Sequence, residues 1–242
     1  LVAARAADAA EGDDPRVSYF LVPQADGVTV RETWDPLGMR ATDSNDVLVE
    51  NVFVPATRTF RLMPEYEPTR HFRGPLYRFP ASGVAIFVVA PVPLAVARNA
   101  IGEVRELAQR KTAFGFTKPL RERAVVQATL AKAEAMLRAA RLLYYDTFRE
   151  AWERTLAGEQ STLEQKADLL LAGSYAATTA ASVVDMMHRI AGTTGIYTKN
   201  PLERYFRDAQ TLRHHGFVSE NRFEAVGQVY LGVPPEFVMV AF

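Results

Sequence analysis

The sequence has no cysteine among its 242 residues. Disulfides, thiolate metal sites and cysteine nucleophiles are thereby excluded, and a reducing cytoplasm is compatible. It has no net charge either, because 28 Lys and Arg balance 28 Asp and Glu. Such a chain lacks the broad field that draws nucleic acid or an anionic membrane, and neither is an expected partner. No uninterrupted apolar run approaches the roughly 20 residues that span a bilayer. The most apolar stretch, VAIFVVAPVPLAVA at 84–97, has the length of a buried helix and carries two prolines. No Gly-x-Gly-x-x-Gly or Walker loop occurs, so a Rossmann or P-loop reading has no support. Histidine is scarce, four in all, and no pairing of histidine with carboxylate has metal-site spacing, so no metal is expected. The opening LVAARAADAAEGDD lacks the charge pattern of a signal peptide and begins without methionine, as if inside a strand of a longer protein.

What is present divides the chain in two. RVSYFLVP (16–23), GVTVRETW (27–34) and NDVLVENVFVP (45–55) are strand-length runs punctuated by Pro, Gly and Asp or Asn. Their interrupted alternation indicates a partly exposed antiparallel sheet. Beyond residue 80 the period changes. Val126, Leu130, Ala133, Leu137, Ala140, Tyr144, Phe148 and Ala151 recur at three and four residues, which predicts one long amphipathic helix within 124–159, stopped by Gly158. Ser161 with Glu164 reads as a capping box opening the next helix, which runs to the break GTTG at 192–195. Pro201 starts a shorter helix, and SENRFEAVGQVYLG forms a last one. Strands followed by helices make an α+β chain. The expected domains are residues 1–65, a linker at 66–80 within a proline-rich stretch, and residues 81–242.

Three motifs in this order resemble the acyl-CoA dehydrogenase superfamily. They are TWDPLGMRATDSNDVLVENVFVP (33–55), RKTAFG (110–115) with Pro119 and Gln127, and AGTTGIYTKNPLERYFRDA (191–209). Trp34 and TDSNDV are most similar to its flavin-dependent monooxygenase branch. The resemblance implies part of an antiparallel β-barrel or sandwich domain followed by an up-and-down four-helix bundle. It further implies FMN or FAD, supplied reduced by a separate flavin reductase and used with O2 to oxygenate a small organic substrate (an aromatic, a sulfur heterocycle or an amino sugar), in a cytoplasmic homotetramer with flavin at a subunit interface.

Phosphate favours arginine and a flat ring favours aromatic neighbours, so Arg110 and Phe114, four apart, are candidate flavin contacts with Gln127 beside them. The plainer alternative is a helix end, with Arg110 and Lys111 at the negative pole and Gly115 as cap. Thr193, Thr194 and Tyr197 could bring backbone amides to the cofactor, or form a plain turn. Glu203 and Arg207 read as a structural i, i+4 pair. Relatives that are dehydrogenases use a glutamate base, either after the Arg-Asp segment or early in the first bundle helix. No acidic residue occurs here at 209–219 or 79–102. In its place stands His215, in register with the R-D-A-x-T-x-x-x-H pattern of the monooxygenases. An imidazole that gives or takes a proton near neutral pH suits that role. The alternative is an exposed basic pair, with His214 pointing about 100° away on a helix. His71 reads as solvated linker, His188 as a core-edge residue, Trp34 as packing, and Arg40 as a subunit or cofactor contact. An acyl-CoA dehydrogenase and a non-catalytic oligomerising module are the competing functions.

Overall fold

The computed structural model describes residues 1–4, 18–24, 27–61 and 71–241. Arg16 and Val17 of the first strand run, residues 62–65 at the end of the expected first domain, and linker residues 66–70 lie outside these. The strands are short: β1 Val2–Ala4, β2 Ser18–Phe20, β3 Val28–Arg31, β4 Asp46–Val49 and β5 Thr59–Arg61. They form two antiparallel sheets, ordered β1-β2-β5 and β3-β4. Tyr19 and Phe60 stack across β2 and β5 with centroids 5.3 Å apart. A barrel or sandwich is not formed among the described residues. Strands of three or four residues in sheets of three and two cannot close on themselves or cover one another, and Val30, Val47 and Phe53 remain exposed.

The helices carry the core. They are α1 Ala81–Val89, α2 Pro91–Arg110, α3 Ala124–Leu156, α4 Leu163–Ala191, α5 Pro201–Leu212 and α6 Arg222–Tyr230. The apolar run at 84–97 is thus broken into α1 and α2 by Pro91, which opens a helix well because its missing N–H would have no partner there. The long helix at 124–159 forms as α3, and Gly158 follows it with φ 80°. Val126, Ala133, Leu137, Ala140, Tyr144, Phe148 and Ala151 are its buried stripe, and Leu130 is partly buried. The capping box lies one residue later than the sequence pattern indicated. Thr162 accepts from the Gln165 amide, and Gln165 accepts from the Thr162 amide. Thr162→Ala should cost about 1 kcal/mol in chemical denaturation, since one amide loses its acceptor.

Helix α4 touches every other helix. Its buried face includes Ala172, Gly173, Ser174, Ala176, Ala177, Ala180 and Ala181, small residues that let neighbours come close. A Cβ at Gly173 would run into Ile86 of α1 and lie 3.5 Å from Val218. By length and composition, Ala81–Arg110 and Leu163–Ile196 are apolar enough to cross a membrane, but 67% of the latter's apolar window is buried inside the protein. Tyr144 is wholly buried, and its hydroxyl donates to the Phe87 carbonyl at 2.9 Å, joining α3 to α1. That burial pushes the Tyr144 phenol well above its ordinary pKa.

The β segment is fastened to the bundle through α5. The Gly38 amide donates to Thr211 Oγ1 at 2.9 Å, and the Met39 amide to Asp208 Oδ1 at 2.7 Å. Arg207 donates to the Leu37 carbonyl at 3.0 Å while forming a two-point pair with Glu203 at 2.5 and 3.0 Å. Glu203 and Arg207 are therefore structural, as expected, and bind two segments as well as two turns of α5. The Arg207 hydrogen bond holds the Glu203 carboxyl below its ordinary pKa against desolvation, with the charges of Arg207 and His188 adding. The loop keeps its shape through Asn45, whose side-chain oxygen accepts from the Thr33 and Trp34 amides. Trp34 packs half-buried and donates through Nε1 to the Met39 carbonyl.

Candidate functional site

Two clusters carry the residues singled out by sequence, and they lie at opposite ends of α5. The first is built on the C-terminus of α2. That helix ends at Arg110, so Phe114 does not share a helical face with it. The chain instead forms a loop whose base is an isolated bridge between Thr112 and Pro119. Phe114 stands fully exposed at the tip beside Gly115, φ 79°. Phe116 follows, with the Arg123 guanidinium 3.8 Å above its ring. Arg110 is exposed. Gly115 does not cap α2; Lys111 is the residue at the cap.

The side chain of Lys111 serves the end of α4 instead. Its Nζ donates to the Ala191 carbonyl at 2.5 Å and to Thr194 Oγ1 at 2.6 Å. The loop with Arg110 and Phe114 is thereby joined to the 3₁₀ turn Gly192–Ile196 that holds Thr193 and Thr194, with Tyr197 next to it. Burial lowers the Lys111 pKa. Lys111 was legible in sequence only as a cation at a helix end; its link to a second loop was not. Gln127 opens α3 nearby, but its amide donates to the Arg121 carbonyl at 2.8 Å. His188 sits at the core edge, its ring 4.6 Å from that of Phe206. The Arg110 guanidinium, the uncovered Phe114 ring and the turn at 192–196 are thus carried on segments that Lys111 connects.

The second cluster holds His215. Helix α5 ends at Leu212, so His214 and His215 occupy the turn beyond it and are not related by a helical 100° step. The Phe217 amide donates to His215 Nδ1 at 3.3 Å. This assigns the neutral imidazole the tautomer with its proton on Nε2. His215 is exposed as a residue, yet the protein around its ring lowers its pKa by desolvation. Val218, three residues on, is wholly buried close to Gly173, at the place where Ile86 of α1 also packs. The outer side of α1 leaves Val84, Phe87 and Val88 exposed.

The 12 residues of α5 separate the turn at 192–196 from His215 by on the order of 18 Å at 1.5 Å per residue. Lys111 links the segment that carries Arg110 and Phe114 to the turn that carries Thr193 and Thr194, while the length of α5 keeps His215 apart from that turn. A groove of about 860 Å³ between α3, α4 and α5 is lined by residues such as Arg123, Lys132, Met136, Met186 and Phe206 and holds none of the expected site residues. Arg40 pairs with Asp35 at 2.6 Å, both exposed.

Comparison with solved structures finds the same fold in proteins of low sequence identity. A 3-HSA hydroxylase from Rhodococcus sp. RHA1 superposes with a TM-score of 0.82 at 22% identity, covering 94% of this chain and 60% of that one. XiaF from Streptomyces sp., solved in complex with FADH2 and glycerol, also gives 0.82, at 23% identity, covering 91% and 57%. The family follows from the sequence itself. Residues 87–220 match the model for the acyl-CoA dehydrogenase C-terminal domain, and the chain belongs to that family. Among curated proteins, an indole-3-acetate monooxygenase from Pseudomonas putida is 33% identical over 223 residues, 92% of this chain and 56% of its own length. The chain thus spans little more than half the length of that relative.

Proposed function

We propose that the protein carrying this chain is a flavin-dependent monooxygenase that oxygenates a small aromatic substrate, with reduced FMN or FAD delivered by a separate reductase. The observation that carries this reading is the replacement of a carboxylate base by an imidazole. His215 stands on the turn after α5 with its Nε2 proton available, while 209–219 and 79–102 contain no acidic residue. A dehydrogenase needs a base that removes a proton beside a thioester carbonyl. An oxygenase needs a group that holds or moves a proton at the reacting atoms, which a neutral histidine does near pH 7. Bound reduced flavin would supply the activation of O2; the protein would orient, exclude water and handle protons. The uncovered apolar side of α1 suits an aromatic ring, and the likeness to an indole-3-acetate monooxygenase points the same way.

The separation of the two clusters supports a shared site. Arg110, Phe114, Gln127, Thr193, Thr194 and Tyr197 would complete a flavin held chiefly by another copy, in a cytoplasmic homotetramer. Residues 81–242 would form the up-and-down four-helix bundle domain, residues 66–80 a linker, and residues 1–65 part of a preceding β domain. Supplying the whole protein with reduced flavin, indole-3-acetate and ¹⁸O₂ tests the activity. Label in the product is expected. Bleaching of bound flavin by an acyl-CoA without oxygen, and no labelled product from a panel of aromatics, would instead establish a dehydrogenase.

A further inference from the structure

Lys111 sits at the meeting point of two loops that are 80 residues apart in sequence. Its backbone forms the neck of the first. The amide closes α2 by donating to the Leu107 carbonyl at 2.9 Å, and the carbonyl accepts from the Leu120 amide at 2.9 Å. The Thr112–Pro119 bridge lies next to that bond. The loop presenting Phe114 therefore hangs from Lys111. Its side chain reaches the second loop. Ala191 is the last residue of α4, where carbonyls concentrate the negative end of the helix dipole. The ammonium lies against that end and also engages Thr194, using two of its three donors. A Cβ built on Gly192, φ 55°, would stand 3.8 Å from Nζ, so the amine lies close against the turn.

We infer that Lys111 is a positioning residue for flavin, latching the 112–119 loop to the 192–196 turn so that Arg110, Phe114 and the turn meet the cofactor as one surface. The inference rests on the flavin reading above. It assigns Lys111 no contact with the reacting atoms. Charge-assisted bonds to a backbone carbonyl and a hydroxyl exceed neutral ones in strength, and both are lost when the ammonium is removed. Removing the ammonium therefore removes two side-chain bonds that tie one loop to the other.

The test compares Lys111→Met and Lys111→Arg with the parent in the whole protein. Amide hydrogen exchange at 112–119 and 192–196, thermal unfolding, and FMN and FAD dissociation constants by fluorescence quenching are measured. Lys111→Met is expected to speed exchange in both loops and to weaken flavin about ten-fold, the size of one to two lost hydrogen bonds. Lys111→Arg, which keeps charge and donors, restores most of that affinity. Unchanged exchange in Lys111→Met overturns the latch. Faster exchange with unchanged flavin affinity overturns the positioning role and leaves Lys111 a plain helix cap. A parent protein that binds neither flavin overturns the flavin reading, and the positioning role with it, whatever the exchange shows.

Discussion

Replacing Gly38 by alanine is expected to destabilise the protein by about 3 kcal/mol in urea unfolding, combining overpacking with the loss of hydrogen bonds, one of them to a carboxylate. The added methyl would press on the carbonyl of Arg207 and lie 2.6 Å from the Asp208 amide nitrogen. These are backbone atoms of a helix, which cannot rotate aside as a side-chain tip can. The loop at 37–39 would have to lift, and the Gly38–Thr211 and Met39–Asp208 bonds would lengthen or break. One comparison separates the causes. Thr211→Val removes one acceptor without the clash and should cost about 1 kcal/mol. A Gly38→Ala protein as stable as the parent would mean that the approach of loop to helix is not close in solution.

Replacing His215 by alanine is expected to lower oxygenation by about 10²- to 10⁴-fold, the usual worth of a positioned proton-transfer group. Flavin affinity should be unchanged, because the turn with His215 lies beyond the far end of α5 from the Arg110 and Thr194 cluster. Product formed per reduced flavin consumed is the measurement. The pH dependence has a defined direction. Desolvation depresses the His215 pKa, so the imidazole stays neutral in the folded protein below the ordinary value of 6.5. Activity that needs the neutral ring should persist through pH 6.5 and fall only in more acid solution. For stability, the unfolded chain binds the proton more readily, so folding is opposed as pH drops below 6.5 and unaffected above it. A profile that loses activity above pH 6.5 would require the protonated ring and contradict this assignment.

The helices were readable because their apolar stripes are long and regular. Val126 to Ala151 keeps one register over seven turns, and the structure buries that register. Local punctuation was read less well. The box at 161–164 and the one at 162–165 have equivalent chemistry, and only backbone geometry chooses between them. The face shared by Arg110 and Phe114 depended on a helix that stops at Arg110. The β segment was misjudged in extent because strand-like runs such as 45–55 contribute only four residues to a ladder. Closing a barrel needs partners that short-range patterns do not specify. The Lys111 bonds and the Gly38 contact on α5 were invisible for a related reason. Each joins residues 80 or more apart, and nothing near either residue signals its partner.

The fastening of residues 37–39 to 207–211 also sets an order of events during synthesis. The amides of Gly38 and Met39 are made early, but their acceptors emerge from the ribosome 169 to 173 residues later. Until α5 is translated, that loop has water as its partner, and the two parts of the chain are free to fold apart. A nascent chain arrested before Arg207 should leave the β segment open to protease attack at the loop, while α2, α3 and α4 are already able to pack.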